Sequence, residues 1–143
     1  MLSFLVTTIA TQAQTVTHQQ IQGKWKMFYF SDENGSANVE THTVTINEKT
    51  TEPKEEVDIL YEDIMNQAED AVFTVKEDVV VNIVQDEEYK FAYKLENKDG
   101  NSYMIMEQNL DNQGNPRVFV VDGLLHLAYD SRKLDVVYKR IKE

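Results

Sequence analysis

Short segments of alternating polar and apolar residues, separated by turn residues, constrain the fold of this chain more than any other feature. The clearest alternation spans residues 88–96. One face carries Tyr89, Phe91, Tyr93 and Leu95, and the other carries Lys90, Lys94 and Glu96. Because side chains alternate between the two faces of a β-strand, this pattern predicts a strand with its aromatic face buried and its charged face in water.

Similar patterns along the chain predict about nine strands. They cover residues 22–31, 40–47, 71–76, 79–84, 88–96, 102–109, 117–121, 124–129 and 134–141. Short turns join them, so each strand is expected to pair with its predecessor, as in an up-and-down barrel. The predicted fold class is therefore all-β and mainly antiparallel, a barrel of about 8–10 strands. No linker or internal repeat interrupts it, which indicates a single domain over residues 20–143.

One segment follows a helical period instead. Its apolar side chains recur at three- and four-residue spacing, at Val57, Leu60, Tyr61, Ile64, Met65 and Ala68. The pattern predicts one short helix near residues 56–70, with Glu55 and Glu56 near its start, where the helix dipole favours acidic residues. We expect this helix over one opening of the barrel; covering an exposed sheet edge is the alternative use.

The first and last predicted strands carry residues suited to meet. Gly23 and Trp25, the single tryptophan, open the first strand, and Arg140 lies near the end of the last. Barrel closure brings these strands side by side, so we expect Arg140 to stack on the Trp25 ring as a cation–π pair. The alternative for Trp25 is an ordinary core aromatic.

This arrangement resembles the lipocalin signature, a Gly-x-Trp on the first strand and a C-terminal Arg packed over the Trp. The chain has no cysteine, and a helix is predicted after its second strand. In both features it is similar to small bacterial lipocalin-like domains of the lipocalin/calycin superfamily. The resemblance implies structural roles for Trp25 and Arg140, and a Gly23 that permits close backbone approach. It also implies a cup that binds a small hydrophobic molecule.

Charge limits the partners. The chain of 143 residues has a formal net charge of −11. Nucleic-acid binding and attraction to anionic membranes both require a cationic field, so neither partner is expected. Acidity of this size mainly confers solubility.

The N-terminus predicts export. Residues 1–13 carry no charge and are mostly small or apolar, which is typical of a secretory signal, although an incomplete one, since no Lys or Arg precedes Lys24. An N-terminal strand or helix is the alternative. Without cysteines there is neither a disulfide nor a lipid-modified N-terminal Cys, so the exported protein is expected to be soluble and without a membrane anchor.

Catalytic groups are not apparent in the sequence. There is no cysteine nucleophile, no glycine-rich phosphate loop and no Gly-x-Ser-x-Gly motif. The histidines His18, His42 and His126 lie on separate segments, so no metal site is predicted. A lone His126 is more often a hydrogen-bonded core residue than a haem ligand, and no cofactor is predicted. We therefore expect a non-catalytic protein.

The candidate ligand-binding residues are those expected to face the barrel interior. They are the aromatic, methionine and histidine side chains Met27, Tyr29, Phe91, Tyr93, Met104, Met106, Phe119, His126 and Tyr138. Apolar walls with flexible thioethers and a few polar groups suit a lipid-like or aromatic ligand. The alternative is a barrel that these side chains fill, acting as an interaction or inhibitor module that binds a protein partner through its surface.

Overall fold

The computed structural model describes residues 15–107 and 114–142 and contains ten β-strands. The elements are α1 (His18–Ile21), β1 (Gly23–Asp32), β2 (Gly35–Asn38), β3 (Thr43–Ile46), α2 (Lys54–Glu69), β4 (Ala71–Val75), β5 (Val79–Val84), β6 (Glu87–Lys98), β7 (Asn101–Met106), β8 (Arg117–Val121), β9 (Leu124–Tyr129), a 3-10 helix (Asp130–Arg132) and β10 (Leu134–Arg140). All nine predicted strands and the predicted helix are present. The added strand, β2, lies between the predicted strands 22–31 and 40–47. The predicted signal peptide, residues 1–13, and the end of the predicted strand 102–109 lie outside the described residues.

Eight of the strands close into an antiparallel barrel, which confirms the predicted fold class. Closure runs through β1, which pairs with β4 through residues 23–25 and with β10 through residues 25–31. The last part of β1 also pairs with β2, so that β2 and β3 extend from the ring as a hairpin. The expectation that every strand follows its predecessor is wrong at one point: α2 separates β3 from β4, and β4 returns to β1.

A β-bulge at Phe28 changes which residues of β1 face the interior. Met27 pairs with Tyr138, whereas Tyr29 pairs with Val137, so one extra residue stands in β1. Because a bulge shifts the alternation by one, Phe30 takes the inward position and is 2% exposed. The predicted inward orientation of Tyr29 is therefore wrong, since it lies on the outer face.

The contact between the first and last strands is present as predicted. Trp25 is fully buried, and its Nε1 donates a hydrogen bond of 2.8 Å to the Ile21 carbonyl. The Cζ atom of Arg140 lies 4.2 Å from the Trp25 ring centroid. The guanidinium also donates to the carbonyls of Gln22 at 2.6 Å and Gln20 at 2.9 Å. Arg140 thus ties α1 and the following turn to the seam.

Gly23 makes room for this arginine. A Cβ atom at Gly23 would lie 2.5 Å from Arg140 Nη1, and the residue has a φ of +130°, where side chains are strained. The expected close approach is real, but the group that approaches Gly23 is the guanidinium and not another backbone.

Side chains fill the half of the barrel around Trp25, which we call the base. Its core consists of Val16, Ile21, Trp25, Phe73, Val75, Val80, Tyr93, Met104, Val118, Leu125 and Leu127. The segment before α1 closes this end, because the Val16 amide donates to Ser102 Oγ at 2.9 Å and Ser102 Oγ donates to Asn97 Oδ1 at 2.6 Å. Satisfied polar groups of this kind allow a chain segment to be buried.

We expect Arg140→Ala to lower the free energy of unfolding by about 1–2 kcal/mol, because it removes the stack and the packing of the arginine stem. Urea denaturation followed by Trp25 fluorescence measures the loss. Lys94→Ala is the control, since Lys94 is an exposed cation on β6.

A double mutant assigns the loss to this contact. Gly23→Ala should destabilise the wild type, and its cost should fall in the Arg140→Ala background, where the Nη1 atom is gone; the strain from φ persists in both. Equal costs in the two backgrounds would contradict a direct contact.

Candidate functional site

Helix α2 covers the barrel end opposite the base, which we call the mouth. It buries Val57, Tyr61, Met65 and Ala68 and leaves Ile64 half-buried. These side chains pack with Phe30, Ala37, Val39 and Val136, so the helix rests on both the β2–β3 hairpin and the barrel rim. Leu60 is 54% exposed, and its predicted place in the buried stripe is wrong. The helix has support on one side only, which buries a narrower stripe than predicted.

Polar contacts hold α2 at its middle and at its C-terminus. The Tyr61 hydroxyl donates to the Asp32 carboxylate at the end of β1, and burial raises the pKa of Tyr61, so this donor stays protonated. Near the helix C-terminus, Lys26 Nζ donates to the Glu69 carbonyl. A cation there satisfies a free carbonyl and complements the helix dipole.

A cavity of about 120 Å³ lies between the last turns of α2 and the barrel interior. It is lined by Met27, Ile64, Gln67, Ala68, Ala71, Phe73, Asn82, Val84 and Tyr138. The rings of Phe73 and Tyr138 stack with centroids 5.0 Å apart and an angle of 21°, which forms one flat aromatic wall. We call this space the mouth cavity.

The mouth cavity contains few polar groups. Burial raises the pKa of Tyr138, so its hydroxyl remains a neutral donor at physiological pH. Within residues 15–107 and 114–142, no other residue hydrogen-bonds to the Tyr138 hydroxyl or to the side-chain amide of Asn82. Both groups can therefore accept or donate a bond to a bound molecule.

The structure divides the predicted ligand-binding residues into three groups. Met27 and Tyr138 line the mouth cavity. Four others belong to or surround the filled base core: Phe91, Tyr93, Met104 and Met106. The remaining three, Tyr29, Phe119 and His126, lie on the outer face.

The orientation of Phe119 and His126 follows from strand register. Val118 and Leu127 pair with each other and are buried in the base core, so the next pair, Phe119 and His126, faces outward. Their rings stack at 4.6 Å, and His126 Nδ1 lies 3.4 Å from Asp135 Oδ2. The predicted inward orientation of both residues is wrong, because the alternation of β8 and β9 has the opposite phase.

Strand β6 carries the predicted faces with one exception. Tyr93 is 4% exposed, Phe91 and Leu95 are half-buried, and Lys90, Lys94 and Glu96 face water. Tyr89 is 44% exposed, and its hydroxyl donates to Glu87 at 2.5 Å. The prediction of a buried Tyr89 is wrong, because this residue lies at the rim, beside Asn82, where the interior opens.

Two cavity residues, Phe73 and Asn82, were not among the residues expected at the site. Phe73 and Asn82 face inward by strand alternation, which the predicted hairpin of residues 71–84 already implied. The sequence pattern does not indicate that the cavity lies beside these two residues, because its position depends on where α2 packs against the barrel. Metal ligands do not cluster there or elsewhere in the described part of the chain, where no group of three or more His, Asp or Glu side chains could hold an ion.

His42 links the β2–β3 hairpin to α2. Its Nε2 lies 2.6 Å from Glu62 Oε2, and its Nδ1 lies 3.5 Å from Glu69 Oε1. The hydrogen bond and the charge of Glu62 raise the pKa of His42 above its ordinary value of about 6.5. Protonated His42 hydrogen-bonds Glu62 and attracts Glu69, and it thereby links the hairpin to the C-terminal half of the helix above the mouth cavity.

This linkage predicts a pH dependence. Because the folded-state pKa of His42 is raised, its stabilisation is complete below about pH 6.5 and is lost as the pH rises through the folded-state value. We expect the Tm difference between wild type and His42→Gln to be largest near pH 6 and to shrink toward pH 9. Thermal melts across this range measure it.

Glu62→Gln provides the matched control for this prediction, since it keeps His42 and removes its main partner. The variant should also flatten the pH dependence. A Tm difference that grows with pH would contradict the linkage.

Comparison with solved structures supports the fold. The chain is similar to a DUF4847 family protein from Bacteroides vulgatus, with a TM-score of 0.51 and 13% sequence identity over 86% of this chain and 95% of that chain. At this identity the likeness shows a shared barrel fold. No family model matches the chain, and no curated protein matches it.

Within residues 15–107 and 114–142, no helix combines the length and the apolar character that a transmembrane helix requires.

Proposed function

We propose that the protein is a non-catalytic binder of a small hydrophobic molecule, and that the ligand occupies the mouth cavity. The observation that carries this proposal is the stacked wall of Phe73 and Tyr138 with unpaired polar groups beside it. An apolar pocket with a few convergent polar groups is the usual composition of a small-molecule site. Met27 supplies an adaptable thioether at the same wall.

The volume selects the kind of ligand. Lipid-like and aromatic molecules are both compatible with the sequence. Pockets for ligands of drug size or larger measure about 300–1,000 Å³, so the mouth cavity is too small for a lipid. The cavity of about 120 Å³ is closer to the engineered apolar cavities of about 150 Å³ that admit benzene. We therefore propose a ligand the size of one aromatic ring. Its polar substituent hydrogen-bonds to the Tyr138 hydroxyl or to the side-chain amide of Asn82.

Phenol and toluene test this proposal, because they share size and shape but differ in one hydroxyl. We expect phenol to bind about 2–10-fold more tightly, which is the effect of one net hydrogen bond. Tyr138→Phe and Asn82→Leu should reduce this preference. Isothermal titration calorimetry measures the six affinities, those of phenol and toluene for the wild type and for each variant.

A cavity-filling pair locates the site. Ala71 lines the cavity, whereas its neighbour Val72 lies on the opposite face of β4. We expect Ala71→Leu to weaken phenol binding about tenfold or more by occupying the space, and Val72→Leu to leave it unchanged. Unaltered binding by a folded Ala71→Leu variant would contradict the mouth cavity as the site.

We further propose that α2 gates this cavity. Amides in its C-terminal half should exchange faster than those of residues 88–96, since the helix rests on one supporting side while β6 is paired on both edges. Phenol should slow exchange in α2 if the helix closes over the ligand. Hydrogen exchange measured with and without phenol decides this, and equal rates in both states would assign α2 a purely structural role.

Membership of the lipocalin superfamily and export are part of the same proposal. The Trp25–Arg140 stack and the antiparallel barrel support the first. Export rests on the uncharged residues 1–13, which lie outside the described residues. N-terminal sequencing of protein recovered from the culture medium or periplasm tests it, and an uncleaved N-terminus on cytoplasmic protein would contradict it.

A further inference from the structure

A second and larger space lies on the outer wall of the barrel. It is a groove of about 420 Å³ at the seam between β1 and β10, separate from the mouth cavity although Met27 borders both. Its principal side chains are Lys26, Phe28, Val39, Glu40, Lys139 and Ile141. We call it the seam groove.

Two lysines face each other in the seam groove. Lys26 and Lys139 are direct partners in the β1–β10 register. Like charges in such a position repel each other and destabilise the strand pair. The chain has 14 Lys and Arg residues against 25 Asp and Glu residues, so a pair of opposed lysines stands out from its acidic surroundings.

The protein compensates this pair only in part. Lys139 Nζ donates to Glu40 Oε1 at 2.6 Å, and Lys26 Nζ donates to the Glu69 carbonyl. Each ammonium has three N–H donors, so both keep further donors for another acceptor. The side chains of Lys26, Lys139 and Glu40 together carry two positive charges and one negative charge, which leaves one positive charge in the groove.

The floor of the seam groove is apolar because of the bulge in β1. Phe28 is the extra residue of that bulge, and its ring lies 4.7 Å from Lys139 Nζ. Val39 and Ile141 border the same space. The groove therefore combines a cationic centre with a hydrocarbon-lined surface next to it.

We propose that the seam groove binds a small organic monocarboxylate with an apolar body. The carboxylate lies between Lys26 and Lys139, where it relieves their repulsion, and the apolar body covers Phe28 and Ile141. A single negative charge matches the excess charge of the groove, whereas the second charge of a dianion would be repelled by Glu40. This site is independent of ligand binding in the mouth cavity.

Hexanoate, 1-hexanol and hexylammonium form a matched set of probes for this site, with the same chain and three different charges. NMR of methyl-labelled protein follows Val39 and Ile141 as groove reporters and Ile64 as the mouth-cavity reporter. We expect hexanoate to shift the groove reporters saturably and to bind about tenfold more tightly than 1-hexanol, since charge-assisted hydrogen bonds are the stronger kind. Hexylammonium should bind no better than 1-hexanol.

Charge variants identify the lysines. Lys26→Gln and Lys139→Gln should each weaken hexanoate binding about fivefold to tenfold, and Lys94→Gln, which alters an exposed lysine on β6, should leave it unchanged. Shifts confined to Ile64, equal binding of all three probes, or no saturable shift at Val39 and Ile141 would each overturn the proposal. Phenol binding to the mouth cavity is measured separately by Ile64, so failure of one site does not affect the conclusion on the other.

Discussion

The pairing of β1 with β10 is the constraint on which the rest of the structure depends. It converts a row of antiparallel strands into a ring and removes the two edges that an open sheet would expose. Trp25 fills the base from the first strand, and Arg140 covers it from the last. The guanidinium also donates to the carbonyls of Gln20 and Gln22, so the same side chain joins the two strands and covers the base.

The packed base is separate from the mouth, where we propose that a ligand binds. The indole and the side chains packed around it form the core of the base, and the mouth cavity lies on the side of α2. The helix spans the β2–β3 hairpin and the barrel rim, so the space left at the mouth is a cavity of about 120 Å³. His42 and Lys26 hold its C-terminal end, which places charged contacts next to an apolar site.

The bulge at Phe28 has consequences on both sides of the wall. Inside, it turns Phe30 toward Tyr61 of the helix, and the two rings meet edge to face at 5.1 Å. Outside, it leaves Tyr29 on the surface and makes Phe28 the floor of the seam groove. One inserted residue thus contributes to the packing of α2 and to the candidate anion site.

The sequence by itself determined nine of the ten described strands, the helix and the closing pair, because these depend on local periodicity and on a few unusual residues such as Gly23 and Trp25. It did not determine the phase of each strand relative to the interior. Strict alternation predicted Tyr29 inward, and a bulge visible only in the pairing with β10 reversed it. The inward assignments of Phe119 and His126 failed because both faces of β8 and β9 carry large side chains, which leaves periodicity no means of choosing the buried one. Tertiary structure alone decided the position and size of the mouth cavity. These depend on how much of the interior the base side chains occupy and on where α2 packs against the barrel. Both are set by contacts between residues distant in the chain.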